Sequence, residues 1–333
     1  MSKDLDTWKN CRFKDAEIVR TRNPEKLAEC DIVVDVGGEY NPEFLKFDHH
    51  QRTFDRTLSH LDSTKKSTIK LSSAGLVYHH FGREIIAIIL GSSDQATEKV
   101  FDKVYDNFIK EIDAIDNGVN QYDDVTSKYS ISTNLSSRVS NLSPNWNDKE
   151  KDFDAGFYKA VELTGSEFLD KVNYFGKVWW AARDLVSKAY ENRFQVHSSG
   201  QIVEFSEGGV PWKEHLLSLE DEQGVLGRKD GNADTEPVSY KDSKEKSRYI
   251  LYVIYTDQSG MWRIQCVPMD PKSFENRLSL PEAWRGVRDA ALDEVSTIPG
   301  CTFVHAGGFI GGNKTREGVL AMAEAALKQQ SAL

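Results

Sequence analysis

Two neighbouring strand ends in this chain carry side chains that could bind a metal ion. Asp35 lies near the end of an apolar, β-branched strand candidate at 31–36, and Asp-His-His at 48–50 follows a second candidate at 45–47. Runs of this kind are typical of strands buried on both faces, and open α/β sheets bind ligands at the carboxyl ends of their strands. Carboxylate oxygens and imidazole nitrogens suit Mn²⁺, Mg²⁺ or Zn²⁺. The spacing therefore indicates a candidate metal site.

A second pair of carboxylates lies farther along the chain, at the end of a predicted helix. Residues 98–116 have apolar side chains at helical spacing, and the following Asn-Gly is a typical helix end. Asp113 and Asp116 are three residues apart and so share one helix face. A carboxylate at a helix C-terminus opposes the helix dipole, so it is either simply solvated or kept for a ligand. Asp116, at the tip, is the better metal-ligand candidate of the two.

A solvated loop is the alternative explanation for two adjacent histidines. His79 and His80 are expected to be such a pair, beside a helix end that precedes Phe81-Gly82. His49 and His50 differ from them because a strand end precedes the pair and aspartates lie nearby. Spacing alone leaves both explanations open for His49 and His50.

The composition excludes several classes of protein. The 333 residues are enough for two domains with hydrophobic cores. Four scattered cysteines indicate reduced intracellular thiols, and neither a secretory signal nor a membrane-spanning apolar run is expected. The net charge of −10 argues against a protein that coats nucleic acid by counterion release. It remains compatible with an enzyme that holds one strand end in a local basic cleft.

The N-terminal part is predicted to alternate between strands and helices. Residues 16–20 and 31–36 have strand character, and Asn23-Pro24 between them can begin a helix, with Asn as the cap. This β-α-β alternation predicts a parallel sheet. Residues 51–70 are polar and rich in turn residues, which favours a surface loop, and Ser72-Ser73 can cap the next helix.

The chain as a whole is predicted to be an α/β protein with two domains. Residues 152–194 have helical periodicity and many aromatic side chains, which is typical of a helix that packs between layers. We expect a metal domain with a parallel sheet and this helical connector over 12–195. A join between Asn192 and Gln201 would lead into a smaller α+β domain over 200–330.

The second domain is predicted to contain strands at 200–205 and 302–305 and a hairpin formed by 249–255 and 261–267. The segment after the strand at 302–305 is rich in glycine and leads to a final helix at 316–330. Its four paired glycines would let a ligand approach the backbone closely, and they are Gly307, Gly308, Gly311 and Gly312.

The same glycine-rich segment contains three side chains that can carry a positive charge. His305, Lys314 and Arg316 could bind phosphate or carboxylate groups at the predicted helix start. The spacing matches neither a Walker A loop nor a Rossmann fingerprint. A tight connection from strand to helix that needs glycine for its geometry is the alternative explanation.

Several motifs together resemble the melanocyte proliferating gene protein family, whose members are relatives of the DHH phosphoesterases. The motifs are Val-Asp35-Val-Gly-Gly, Phe-Asp48-His49-His50-Gln-Arg, Asp113-Ala-Ile-Asp116-Asn-Gly and Gly-Phe-Ile-Gly-Gly, and the resemblance extends from about residue 13 onward. It implies a DHH-type domain, a helical connector and a C-terminal substrate domain, with the active site between the domains. It also implies Mn²⁺ or Mg²⁺, 3′-to-5′ exonuclease action on RNA, and a location in nucleus, nucleolus or mitochondria.

The resemblance also implies roles for individual residues. Asp35 would bridge two metal ions, His49 and Asp116 would ligate one of them, and Asp113 is a further candidate ligand. His50 would face the scissile phosphate, and Asp48 would orient the two histidines. In the C-terminal domain, the substrate backbone would be held by the glycine-rich segment with His305, Gly307, Gly308, Gly311, Gly312, Lys314 and Arg316.

The beginning of the chain departs from the pattern of this family. Family members open with a strand that carries a motif of the type His-x-x-x-x-x-His-x-Asp-Glu, whereas residues 1–11 contain no histidine. We therefore expect about half of the metal shell to be absent. Three functions remain open: an RNA exonuclease with impaired activity, a non-catalytic form that binds nucleotides or RNA, and a small-molecule phosphatase or pyrophosphatase.

Overall fold

The computed structural model describes residues 15–91, 94–123, 128–225 and 248–330. They combine helices with two sheets that each contain one parallel strand pair, which confirms the predicted α/β class. The chain divides into two compact units, one up to Trp180 and one from Ala181.

The unit boundary lies earlier in the chain than the predicted join between Asn192 and Gln201. The reason is the packing of the helix at 182–191, which belongs to the second unit. Its buried residues Val186 and Tyr190 share a hydrophobic cluster with the strand Ile202–Phe205.

Helices make up most of the first unit. The five-residue helix predicted at Asn23-Pro24 is confirmed, and the Asn23 side chain caps it by accepting a hydrogen bond from the Glu25 N–H at 2.9 Å. Among the described helices, none combines the length and the apolar character needed to cross a lipid bilayer. The helices of the unit are α1 Pro24–Ala28, α2 Leu58–Leu61, α3 Ser73–Leu90, α4 Asp94–Val104, α5 Lys110–Asp116, α6 Leu135–Ser140 and α7 Phe153–Asn173.

Single π-helical turns interrupt the helical stretches at two places. Tyr105–Ile109 joins α4 to α5, and Tyr174–Trp179 follows α7. The predicted helices at 98–116 and 152–194 are thus confirmed in position, although each is divided into shorter pieces. Turns of this type often lie next to functional sites.

The sheet of the first unit is small and mixed. Its strands β1 Val33–Val34, β2 Tyr40–Asn41 and β3 Lys46–Phe47 have the order β1-β3-β2. Strand β3 is parallel to β1 and antiparallel to β2. Val33 is buried but Val34 is 44% exposed, so the prediction that this strand is buried on both faces is wrong.

Residues 16–20 form no strand, which corrects the predicted partner of β1. Arg20 contacts α7 instead of a sheet: its guanidinium pairs with Asp154 at 2.6 Å and lies 4.6 Å from the centre of the Phe157 ring. The parallel partner of β1 is therefore β3, which follows it closely in the chain.

Two further predictions for the first unit are wrong. His79 and His80 lie inside α3 rather than beside a helix end, and the His80 Nε2 atom is 3.0 Å from the Tyr40 hydroxyl. Residues 51–70 are not simply a surface loop, because they contain α2 with the buried Leu58.

The second unit is built on a five-stranded sheet with the order β4-β5-β6-β8-β7. Only β4 and β5 are parallel, and the predicted hairpin is confirmed as β5 and β6. The strands are β4 Ile202–Phe205, β5 Tyr252–Thr256, β6 Trp262–Cys266, β7 Cys301–Val304 and β8 Ile310–Asn313. The helices are α8 Ala182–Glu191, α9 Arg193–Val196, α10 Lys213–Glu222, α11 Asp289–Ser296 and α12 Arg316–Gln330.

An ion-pair cluster ties α3 to α4 in the first unit. Glu98 accepts a hydrogen bond from Arg83 Nε at 2.7 Å and forms a second short contact with the nearly buried Lys65. The hydrogen bond from Arg83 is the main reason that the pKa of Glu98 falls from 4.5 to about 2, with burial acting in the opposite direction. The ionised carboxylate therefore stabilises the folded chain.

We predict that Glu98→Gln lowers the free energy of unfolding at pH 7 by about 1 kcal/mol, a modest value because solvent screens the partly exposed pair. This contribution is present above the unfolded pKa of about 4.5. It is lost as the pH falls towards the folded pKa of about 2. Urea denaturation of the parent chain and the variant at pH 7 and pH 3 measures it. Glu84→Gln, at an exposed site on α3, is the matched control, and a difference that does not change with pH would contradict the prediction.

Candidate metal centre

Asp35 lies directly after β1 in a backbone conformation that is uncommon for residues other than glycine. Its φ is 66°, and the φ values of Gly37 and Gly38 that follow are also positive. Asparagine and aspartate tolerate this left-handed region better than most residues, and such conformations concentrate at functional sites. The sharp turn leaves the Asp35 side chain 61% exposed beside the end of β3.

Asp48 follows β3 and holds His50 in one orientation. The buried Asp48 carboxylate accepts hydrogen bonds from the Gly38 N–H at 2.6 Å and the His50 N–H at 3.0 Å. The His50 ring nitrogen Nδ1 lies 2.7 Å from the same carboxylate. With its proton on Nδ1, His50 donates to Asp48 and keeps a lone pair on Nε2. A carboxylate behind a histidine in this way is typical of metal sites.

The Asp48 side chain remains ionised in this position. Burial alone raises the pKa of Asp48, but the hydrogen bonds from His50 and Gly38 together outweigh burial and bring the pKa below 3.8. Asp48 is therefore a permanent hydrogen-bond acceptor for His50 near neutral pH.

His49 is buried and contacted at both ring nitrogens. Its Nδ1 atom lies 3.0 Å from Ser73 Oγ and 3.1 Å from the Ser73 backbone nitrogen, and its Nε2 atom lies 3.2 Å from Asp116 Oδ2. If Nδ1 accepts the Ser73 N–H, the ring proton is on Nε2 and faces Asp116. If Nδ1 instead donates to Ser73 Oγ, Nε2 keeps a lone pair that can bind a metal ion beside Asp116.

The surroundings of His49 favour its neutral form. Burial lowers the pKa of His49, and the raising effects of Asp116 and Asp35 do not outweigh it, so that the pKa lies below 6.5. Neutral imidazole is the form that ligates metal ions. The neutral ring carries a single proton, and an ion at Nε2 requires that proton to be on Nδ1, facing Ser73 Oγ.

Three side chains form a compact group that could hold one ion. Asp35, His49 and His50 each offer one ligand atom, and these atoms all lie within 4.8 Å of one another. A shell of ligands at about 2.1 Å from an ion is about 4.2 Å across, so small shifts would let the three share one cation. Asp116 adds a carboxylate on the Nε2 side of His49. This part of the chain therefore contains a possible metal-binding group.

Asp113 does not belong to this group, although the sequence made it a candidate ligand. It is fully buried, and its oxygens accept hydrogen bonds from the Ser72 N–H at 2.9 Å, the Ser72 hydroxyl at 2.7 Å and the Tyr105 hydroxyl at 3.2 Å. Burial is the main reason that its pKa rises to about 6, against the lowering effect of these bonds. Asp113 therefore points into the interior, and the hydrogen-bond donors of Ser72 and Tyr105 occupy its carboxylate oxygens.

A cleft of about 450 Å³ opens beside the compact group. Asp35, Asp48 and His50 are among its polar lining residues, and Leu27 and Val33 are among its apolar ones. Arg22 adds a cationic side chain to the lining. The volume lies within the range of small-molecule binding sites.

The glycine-rich segment of the second unit is a β-hairpin rather than a direct passage from strand to helix. His305, Gly307 and Gly308 form the tight turn between β7 and β8, and His305 Nδ1 accepts the Gly307 N–H at 3.0 Å. Gly308 has a φ of 66°, which explains the need for glycine at that position. Only His305 and Gly307 of these three residues are exposed.

Strand β8 contains the second glycine pair, so this part of the segment is a strand rather than a loop. Gly311 and Gly312 are buried in the sheet, and a Cβ at Gly312 would lie 2.5 Å from the Arg263 side chain. A Cβ at Gly312 would also lie 3.0 Å from the Trp262 carbonyl oxygen, so glycine suits the close approach of β6 and β8. The Arg316 guanidinium is bound by Glu204, with Nε 2.9 Å from a carboxylate oxygen, whereas Lys314 is exposed.

Comparison with known proteins places the chain in a family. A family model named for the MYG1 exonuclease, and described as "Uncharacterised protein family (UPF0160)", matches residues 8–327. The chain belongs to the MYG1 exonuclease family. This confirms the resemblance that the motifs indicated, because MYG1 stands for melanocyte proliferating gene 1.

Members of the family from distant organisms are similar to the chain over most of its length. The MYG1 exonuclease of Rattus norvegicus is 52% identical over 322 residues, which are 96% of this chain and 79% of the rat protein. The MYG1 exonuclease of Homo sapiens is 52% identical over 96% of this chain and 80% of the human protein. The MYG1 protein of Saccharomyces cerevisiae is 38% identical, and the match covers 95% of this chain and 88% of the yeast protein. No solved structure shows significant similarity to the chain.

The sequence did not reveal the contacts that two residues make at the centre. Ser73 contacts His49 although 24 residues separate them, and spacing gave no sign of that contact. Gly38 donates its N–H to Asp48, and the only signal was its position in a glycine pair after β1. Both contribute backbone N–H groups, which a sequence pattern identifies only weakly.

We predict that Asp48→Asn weakens binding of Mn²⁺ by 10- to 100-fold, the range found when a hydrogen-bonded partner of a metal ligand is changed. The amide is a poorer acceptor than the carboxylate, so His50 loses its fixed orientation. Isothermal titration calorimetry measures the affinity. Asp55→Asn, at an exposed site in the following loop, is the control, and equal affinities for the two variants would contradict the assignment.

Proposed function

We propose that the chain is a metal-dependent phosphodiesterase that removes nucleotides from the 3′ end of RNA. The observation that carries the proposal is the compact group Asp35, His49 and His50 in a member of the MYG1 exonuclease family. Relatives that are 52% identical over almost the whole chain are named as exonucleases. A nucleic acid or nucleotide is the class of substrate that this name implies.

The donor set fits a divalent transition metal ion. An imidazole nitrogen together with carboxylate oxygens suits Mn²⁺ better than Mg²⁺, which prefers oxygen ligands alone. We assign Asp35, His49 and Asp116 to the ion, as the resemblance to the family implies. When bound, a divalent ion supplies positive charge and Lewis acidity for phosphodiester hydrolysis.

The chain's own residues would orient the reacting groups. His50, held through Nδ1 by Asp48, would face the scissile phosphate, and as an imidazolium it would donate its Nε2–H to a phosphate oxygen. The neighbouring cleft of about 450 Å³ is large enough for one terminal nucleotide. Arg22 at the cleft would pair with a phosphate oxygen. In the second unit, His305 and Lys314 remain exposed and are proposed contacts of the RNA backbone.

We predict Mn²⁺-dependent release of mononucleotides from a 5′-labelled RNA, which EDTA abolishes and which a blocked 3′ end prevents. His49→Ala should reduce the rate by at least 100-fold, because it removes the buried ligand between Asp116 and Ser73. His60→Ala, at an exposed site on α2, is the matched control and should retain the parent rate. Release without metal, or equal loss in both variants, would contradict the proposal.

A non-catalytic form that binds nucleotides is the second candidate. The observation that favours it is the size of the compact group, which contains only three side chains among the residues that the structure describes. Two ions about 3.5–4 Å apart, as in many phosphodiesterases, each need several protein ligands. With one ion or none, the chain could still bind a nucleotide in the cleft.

Calorimetry with Mn²⁺ separates the two candidates. We expect two bound ions per chain for the exonuclease and one or none for the binding form. A substrate panel of RNA, dinucleotides and pyrophosphate extends the test to a small-molecule phosphatase, which would prefer pyrophosphate. Two bound ions with no hydrolysis of any of these compounds would contradict both catalytic readings.

A further inference from the structure

Asp113 is a fully buried carboxylate that forms no ion pair with any residue in the described parts of the chain. All of its hydrogen-bond partners are neutral groups, chiefly Ser72 and Tyr105. An ionisable side chain in such a place normally destabilises a fold unless its hydrogen bonds offset the loss of water. The burial of this carboxylate is therefore not explained by packing alone.

The contacts of Asp113 fix the beginning of α3. Its Oδ1 atom accepts both the backbone N–H and the hydroxyl of Ser72, the residue that caps this helix. A Cβ at Gly75, in the first turn, would lie 2.3 Å from the same oxygen. The helix start is thus pressed directly against the carboxylate, and glycine leaves the space that this approach needs.

The next residue of α3 touches the candidate metal ligand. The backbone nitrogen of Ser73 lies 3.1 Å from His49 Nδ1, and the Ser73 hydroxyl lies 3.0 Å from the same atom. On the other side of the ring, Asp116 lies 3.2 Å from Nε2 and belongs to the same helix as Asp113, one turn later. His49 is therefore held between the start of α3 and the end of α5, and Asp113 joins these two helix ends.

We infer that Asp113 is a positioning residue of the metal centre, which acts through Ser72 and Ser73 on one side of His49 and through α5 and Asp116 on the other. It sets the distance between the two helix ends and so the orientation of the imidazole. This replaces the expectation that Asp113 ligates the ion itself. The inference rests on the proposed function only for the identity of the reaction, since metal binding can be measured without a substrate.

The test is the affinity of folded variants for Mn²⁺. Calorimetry measures it, and so does the electron paramagnetic resonance signal of free Mn²⁺. Asp113→Asn keeps the size of the side chain but places a donor amide near the Ser72 and Tyr105 hydroxyls. We expect a 10- to 100-fold weaker affinity, the range for partners that orient a ligand. Ser72→Ala, which removes only the hydroxyl donor, should weaken the affinity by several-fold and serves if Asp113→Asn does not fold.

Tyr78→Phe is the control for a merely structural role. It removes a buried hydrogen bond from the same helix to the Phe101 carbonyl, at 2.9 Å, and leaves the contacts of Asp113 intact. It should lower the thermal midpoint while its Mn²⁺ affinity stays within twofold of the parent value. RNA hydrolysis by Asp113→Asn should recover at high Mn²⁺ concentration, because the reacting groups themselves are unchanged.

Parent affinity for Mn²⁺ in folded Asp113→Asn and Ser72→Ala would overturn the inference. So would an equal loss of affinity in Tyr78→Phe, which would show that general destabilisation is the cause. If the parent chain binds Mn²⁺ and the variants bind it less tightly, but no chain hydrolyses RNA, the proposed exonuclease falls and the positioning role stands. If the parent chain binds no Mn²⁺, the metal centre and the positioning role fall together.

Discussion

The burial of one imidazole constrains the arrangement of the first unit. His49 is 4% exposed, so solvent cannot satisfy its two ring nitrogens and the protein must do so. Ser73 at the start of α3 provides one partner, and Asp116 at the end of α5 provides the other. The beginning of α3 and the end of α5, which are far apart in the sequence, must therefore lie next to His49. The geometry of the whole candidate centre follows from that requirement.

The small sheet positions Asp35 and the Asp48–His50 segment beside His49. Because β1 and β3 are parallel neighbours, their carboxyl ends lie side by side, and Asp35 follows one of them while Asp48 follows the other. Phe47, fully buried at the end of β3, packs among the aromatic residues of the first unit's core and anchors the strand. A strongly packed core thus supports a centre whose outer members, Asp35 and His50, remain exposed and can meet a substrate.

Local patterns were sufficient to predict the elements and groups that depend on near neighbours. Strand ends at Asp35 and Asp48, the cap at Asn23 and the helix end after Asp116 all follow from short-range rules, and the structure contains them. The role of Asp113 could not be read in this way, because it depends on Ser72, which is 41 residues away. Helical spacing placed Asp113 on the face of Asp116 but did not show which residues pack against that face.

Glycine-rich and edge segments were the other source of error. In β8, glycine removes the alternation of side chains that identifies a strand, so residues 310–313 looked like a turn. The pairing of Arg316 with Glu204 joins residues 112 positions apart, which no local pattern reveals. Residues 16–20 had strand character, but they pair with no strand, and Arg20 contacts Asp154 and Phe157 on α7 instead.

The central claim is that His49 and its neighbours bind divalent metal, and anomalous diffraction from crystals grown with Mn²⁺ tests it most directly. The account predicts an anomalous peak within coordination distance, about 2.0–2.3 Å, of a His49 nitrogen and an Asp35 oxygen. Crystals at saturating Mn²⁺ with no peak at that position, or with a peak only at surface carboxylates, would contradict it.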